Sequence, residues 1–204
     1  MIFLPLGRRP NLDRWASRGF PAKLLGGPRP SDDRGRYVRV VGREPPGDPL
    51  PDGPFRRVAS AILDYRVFPL SVLTPVMAKT PVSVGDTVGL TYRLVPGLRM
   101  FVASRVIATF DEHTSNGWKT GFTYRTLKGH AELGEEIFAV EKDRSTGDVA
   151  ASLTSWSRPG HWLTRIGYFY ARTCQIHASH AALDHLEAVA KGDIAQSTLH
   201  RPCL

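Results

Sequence analysis

Between Val88 and Trp156 the chain repeats one pattern, apolar residues at every second position broken at intervals by turn-forming residues. A period of two suits a strand with one face on a core, and a helix cannot gather such a pattern onto one side. Gly85-Asp86 turns the chain into alternation at Val88, Leu90, Tyr92 and Leu94, and Pro96-Gly97 turns it again. Met100 to Phe110 reads as a buried strand, followed by a loop that ends at Asn116-Gly117. Trp118–Thr126 and Glu136–Glu141 read as two more strands, and the turn from Asp143 to Asp148 leads into Val149–Trp156. After the strands the period changes. Leu163, Ile166, Tyr170, Cys174, Ala178 and Ala181 share one face of a 3.6-residue wheel, with Arg165, Arg172, Gln175 and Ser179 opposite. Ser157 is read as the cap of this helix, with Pro159 in its first turn. Upstream, Val58, Ile62, Leu63 and Tyr65 predict a shorter helix that Pro69 stops. Consecutive antiparallel strands closed by one long helix predict an α+β domain, a curved antiparallel sheet wrapped around its C-terminal helix.

The first 54 residues differ in kind. They hold 10 of the 16 prolines and 8 of the 19 glycines, which predicts a largely irregular leader. Within it only a turn of helix near Leu12–Arg18 and a strand at Arg36–Gly42 are expected, the strand from the alternation at Val38 and Val40. The predicted organisation is therefore a leader over 1–54, the α+β domain over 55–190 and a tail over 191–204. The net charge of +8 follows the same division. Residues 1–57 carry 12 Lys and Arg against 6 Asp and Glu, whereas the remainder is nearly balanced. With few aromatic side chains for base stacking and no nucleic-acid-binding motif, this basic segment is read as solvated rather than as a sequence reader.

Cys174 and Cys203 form neither a disulfide framework nor a zinc ribbon, which fits a reducing compartment, and the expected location is cytoplasmic. No stretch approaches the length of a membrane span. No nucleophile elbow, phosphate loop or dinucleotide fingerprint occurs, so no cofactor is expected. His130-x-Glu132 lacks the cysteine pair of the zinc deaminases. His177, His180 and Asp184 on one helix could be drawn as a metal site, but satisfied flank histidines are the plainer reading, and no metal is expected.

Three segments carry a family resemblance. "GFTYRTLKGHAELGEEIFAVE" (Gly121–Glu141), "SRV" (Ser104–Val106) and "SWSRPGHWLTRIG" (Ser155–Gly167) resemble the bacterial and plant family catalogued as domain of unknown function nineteen-ninety. Its members look like relatives of the START and birch-pollen-allergen proteins, the helix-grip superfamily. The likeness covers roughly residues 55–187 and implies a helix-grip fold with a cavity between sheet and helix, not a particular reaction. Relatives often place an asparagine just before the arginine-containing strand segment, where this chain has Val102-Ala103.

Candidate site residues follow from the alternation. On the strand 118–126, Trp118, Phe122 and Tyr124 share a face, and on the next strand Glu136 and Phe138 do. If the aromatic faces point inward, Tyr124 and Glu136 look into the space under the helix, while Glu132 and Glu135 lie near the hairpin end in or near solvent. A glutamate half-buried beside a tyrosine can serve as a general acid or base; alternatively Glu136 pairs with Arg105 or Arg125 across the strands. From the helix, Tyr170 and His177 offer polar tips among small residues. The expected function is binding of a small apolar molecule by Trp118, Phe122, Tyr124, Phe138, Tyr170 and His177, with Glu136 and Arg105 as polar fixtures. The rival is an enzyme using Tyr124, Glu136 and His177 on an apolar substrate, and a third reading is an interaction module with a filled core.

Overall fold

The computed structural model describes residues 2–5, 10–24, 26–95, 98–160 and 168–194. Its eight strands are β1 (Ile2–Pro5), β2 (Asp33–Arg43), β3 (Leu73–Val76), β4 (Thr87–Val95), β5 (Leu98–Thr114), β6 (Gly117–Thr126), β7 (Glu132–Asp143) and β8 (Asp148–Pro159). Helices α1 (Asp13–Ala16), α2 (Pro54–Leu63) and α3 (Tyr168–Lys191) complete it. All strand pairings are antiparallel, in the order β2-β8-β7-β6-β5-β4-β3, with β1 beside β5. Register shifts between Val40 and Gly42, Arg93 and Val95, and Val106 and Ala108 bend the strands so that the sheet curls. Helices α2 and α3 lie on the concave face, the curved sheet around a C-terminal helix expected from the alternation and the helix-grip arrangement that the resemblance implies.

Alternation decides what enters that face. Phe122 of β6 and Phe138 of β7 stand directly opposite each other, and both are fully buried. Val140, Val149, Ala151 and Leu153 extend the layer. Helix α2 opens at Pro54, which gives up an N–H the first turn does not need, and buries Phe55, Val58 and Ile62 on the layer. Burying each such side chain stabilises the fold by about 2 kcal/mol. Helix α3 adds Ala182, Leu183, Leu186 and Val189.

Helix α2 ends in an unusual way. The Arg66 N–H donates to Ala61 O (2.7 Å) and the Tyr65 N–H to Ile62 O (2.8 Å), and Tyr65 sits at φ +53°. Glycine is usual at this position, and a side chain there costs about 1–2 kcal/mol. The Tyr65 ring offsets that cost by burial, edge-on to Phe122, Tyr124 and Phe138 at centroid distances of 5.7, 6.3 and 6.1 Å.

Three expectations need correction. Ser157 and Pro159 belong to β8, because backbone pairing to Gly134 and Glu132 of β7 continues the strand through them. Leu163 and Ile166 lie outside the described residues. The buried stripe of α3 also has a different phase: Cys174 is exposed, Ala181 is half-buried, and Ala178, Ala182, Leu186 and Val189 face the sheet. Finally, the leader holds the helical turn and the strand expected in it, as α1 and the longer β2, and also β1, which was not expected. Strand β2 pairs with β8 along its length, while Val38 and Val40, whose alternation suggested it, point outward and are exposed. Trp15 packs on the convex face, edge-on to Phe101 at 5.8 Å, with Ala103 and Leu127 beside it.

Candidate functional site

The concave face is not uniform along its strands. Toward the start of β7 the inward positions turn polar, with Glu132 and Glu136 on β7, Ser155 and Ser157 on β8, Tyr124 on β6 and Tyr92 on β4. Tyr124 and Glu136 are cross-strand partners, and the Tyr124 hydroxyl donates to Glu136 Oε2 at 2.6 Å. Phe138, two residues on, forms the floor, with its ring 5.5 Å from that of Tyr124. Glu136 is ringed by core side chains yet stays half-buried rather than sealed.

Glu132 lies on the same face, about 13 Å along the strand from Glu136. It accepts hydrogen bonds from Ser157 and from Gln175 Nε2 of α3, so the helix is tied to the sheet over this patch. Beside it, His130 Nδ1 accepts the Glu132 N–H at 3.0 Å, and burial pushes that imidazole down to about 3. His130 is thus a neutral turn residue.

Burial governs the electrostatics. Loss of solvation raises the Glu136 carboxyl to about 7, the Tyr124 hydrogen bond opposes the rise, and the charge of Glu132 adds to it. Glu132 is raised as well, again chiefly by burial. The hydroxyls of Tyr65, Tyr92 and Tyr124 are all raised by burial and by the nearby Glu136 carboxylate. Three phenols that keep their protons therefore surround a carboxyl that titrates near neutrality.

Of the residues expected to form the site, Tyr124 and Glu136 meet, with Phe122 and Phe138 beneath them in the packed core. Arg105 does not join them. It alternates with the inward Ser104 and Val106 and projects from the convex face, where Nη2 donates to Ala16 O at 2.6 Å. Trp118 is on the correct face but six residues from Tyr124, roughly 20 Å along the strand. There Lys142 and Arg144 approach its ring at 5.5 and 5.2 Å. His177 is exposed on the outer side of α3, and the Tyr170 side chain lies outside the described residues. The expected ion pair of Glu136 with Arg105 or Arg125 is replaced by one on the opposite face, where Arg125 Nη2 meets Glu135 Oε1 at 2.6 Å. His180 rests edge-on to Tyr37, Asp184 pairs with Arg39, and no three metal-ligating side chains converge among the described residues.

Sequence reading places Glu132 at the hairpin end in or near solvent, where the structure instead half-buries it under α3, and does not assign Tyr65 or Tyr92 to the site. Glu132 and Glu136 are four apart, so they share a strand face, and that parity was the available signal. Tyr92 was legible as an inward position of β4, whereas Tyr65 reaches the site through a left-handed backbone that no spacing rule anticipates.

Sheet, helix and inward polar patch together define a helix-grip protein with a polar end to its concave face. The chain belongs to the family described as Domain of unknown function (DUF1990), whose profile matches residues 32–185. It is 32% identical over 128 residues to a UPF0548 protein of Dictyostelium discoideum, a match covering 59% of each chain. It is 40% identical over 72 residues to a UPF0548 protein of Arabidopsis thaliana, covering 33% of this chain and 35% of that one. The matched stretches thus span less than two thirds of either relative. Among solved structures, the major latex-like protein 151 of Panax ginseng is similar with a TM-score of 0.49 and 13% identity, covering 77% of this chain and 96% of that chain. Ara h 8.0201 is similar with a TM-score of 0.44 and 11% identity, covering 76% and 98%.

No helix among the described residues is long and apolar enough to cross a membrane.

Proposed function

We propose that this protein binds a small, largely apolar molecule between the concave sheet and the N-terminal half of α3, and holds it by one polar group at Tyr124 and Glu136. The observation that carries this reading is that pair: a carboxyl and a phenol bonded at 2.6 Å, facing inward, with Glu136 half-buried above an aromatic floor. Apolar contact supplies the affinity of such a site and the polar pair orients the ligand. The reading places the protein in the cytoplasm, consistent with two cysteines that form no disulfide framework. Mass spectrometry of small molecules released from the natively purified protein tests it. A bound species that is retained by the wild type and lost from Glu136→Ala supports it. A natively purified protein that carries no small molecule and leaves the emission of solvatochromic apolar dyes unchanged refutes it.

A second reading is favoured by one observation, the Glu136 carboxyl held at about 7, where a general acid or base works best. On this reading the released molecule is a substrate, and Glu136 exchanges a proton with it while Tyr124 steadies the charge. Incubating that molecule with wild type and with Glu136→Gln separates the two. Turnover by the wild type that falls at least a hundredfold in the variant indicates catalysis. Binding by both without product indicates a carrier.

A further inference from the structure

The polar end of the concave face is selective in charge. Among the described residues the polar groups around Glu136 are hydroxyls and a second carboxyl. Tyr124 stands opposite Glu136 on β6 and Ser155 opposite it on β8. Tyr92 of β4 and Tyr65 at the end of α2 lie near enough for the Glu136 charge to raise their hydroxyls. Glu132, on the same face, is already engaged by Ser157 and Gln175. The cations that β2, β7 and α3 bring to this face are committed elsewhere. Arg39 pairs with Asp184 and, at 3.5 Å, with Glu187. Lys142 sits beside Glu44, six residues and roughly 20 Å along β7 from Glu136. Arg172 donates to Gln175 Oε1 at 3.3 Å and to Arg34 O at 3.2 Å, and its charge acts on Glu132.

These groups reject an anion. A ligand carboxylate or phosphate at Glu136 would meet like charge with no cation beside it to offset the repulsion. An ammonium fits on three counts. Its three N–H donors match a carboxylate and the oxygens of two hydroxyls, all of which accept. Its charge returns to Glu136 the stabilisation that burial removes, through a charge-assisted hydrogen bond. The rings of Tyr65, Tyr92 and Tyr124 form a surround whose π faces attract cations.

We propose that the molecule held between the sheet and α3 is a primary amine on an apolar body, its ammonium seated among Glu136, Ser155 and Tyr124. This rests on the reading that the concave face binds a small molecule, and it names the class of that molecule. Because the ammonium favours the ionised carboxyl, a proton leaves Glu136 as the amine enters wherever the pH is below about 7. Glu132 is raised likewise and acts in the same direction, whereas the three phenols, raised by burial, keep their protons. His130 beside Glu132, lowered to about 3, stays neutral, and from α3 the nearby groups are Arg172 and the exposed Cys174.

The test offers the full chain one apolar body with three different tips, phenylbutylamine, phenylbutanol and phenylbutyrate, at constant ionic strength, read by amide NMR shifts. At pH 8, saturable shifts in β6, β7 and α3 are expected, with the amine bound at least tenfold more tightly than the alcohol and the carboxylate weakest. In Glu136→Gln the alcohol still binds, but the advantage of the amine disappears. The wild type alone supplies a second measurement: affinity for the amine falls about tenfold between pH 8 and pH 6, and affinity for the alcohol does not. Alcohol or carboxylate bound as tightly as the amine, or an amine advantage that survives in Glu136→Gln, overturns the ligand class while the apolar site stands. If none of the three probes shifts β6, β7 or α3, the class and the site fall together.

Discussion

Of the ionisable side chains that β7 sends into the concave face, Lys142 and Glu136 are treated in opposite ways. Lys142 lies at the packed end and is fully buried. Its ammonium donates to Pro45 O (3.0 Å) and Asp48 O (3.1 Å), also reaches Gly47 O, and lies 3.5 Å from Glu44 Oε2. Glu44 is saturated in turn, accepting from the backbone N–H groups of Leu50 (3.0 Å) and Phe55 (2.8 Å), so the pair ties the loop before α2 to the sheet. Glu136, six residues earlier on the same face, has one hydrogen bond among the described residues, to Tyr124, and a raised pKa. A buried charge used for architecture is surrounded until every donor is satisfied. One left partly accessible with a single partner is available to something else, and the packed end of the molecule supplies the stability that permits it.

That contrast can be broken at its strongest point first. Phe138→Ala, which opens the shared aromatic floor, should destabilise by about 3–5 kcal/mol in urea unfolding. Lys142→Met leaves Glu44 as an uncompensated buried carboxylate and should cost a similar 3–5 kcal/mol. If Lys142→Met proved neutral, the architectural role of that charge would fall.

Glu136→Gln should act in the opposite direction. Its folded pKa of about 7 lies above the usual carboxyl value of 4.5, so the folded state holds the proton more tightly than the unfolded chain. That preference favours folding fully below pH 4.5 and is lost as pH rises through 7. Removing the titration should therefore raise stability at pH 8 by about 2 kcal/mol and flatten the decline between pH 4.5 and 7. Glu132, raised in the same direction, adds to that decline, whereas His130, whose pKa is lowered by burial, opposes it below pH 6.5 in both proteins. Melting curves of both proteins across that range check this, and a variant less stable than wild type at pH 8 would place Glu136 with Lys142 as architecture. The smallest effect belongs to Tyr124→Phe. It should cost about 1 kcal/mol above pH 7 and push the Glu136 carboxyl above its present value, since the hydrogen bond it removes favours the charged form. Carbon-detected NMR titration of the glutamate carboxyls would show the shift.

The strands were readable residue by residue because side-chain direction in a strand depends only on parity. The period of two in β6 and β7 places Tyr124, Glu136 and Phe138 on one face, and the structure has them there. The same parity rule should have placed Arg105 outward, since it alternates with Val106, and it should have brought Glu132 inward with Glu136. Treating those two by charge rather than by position was the error. Helix α3 was harder, because Cys174 and Ala181 satisfy a helical wheel as well as Ala182 and Leu186 do. Only contact with β2 and α2 selects which arc is buried.

What the sequence alone determined is the architecture, an antiparallel sheet closed by a C-terminal helix, and the family, since both rest on local period and on residues close together in the chain. The tertiary structure decided which inward polar groups are satisfied. Lys142 meets carbonyls nearly a hundred residues away, and among the described residues Glu136 meets the Tyr124 hydroxyl. Solvation of a charge depends on everything within a few ångströms, and those neighbours come from elements that no local spacing brings together.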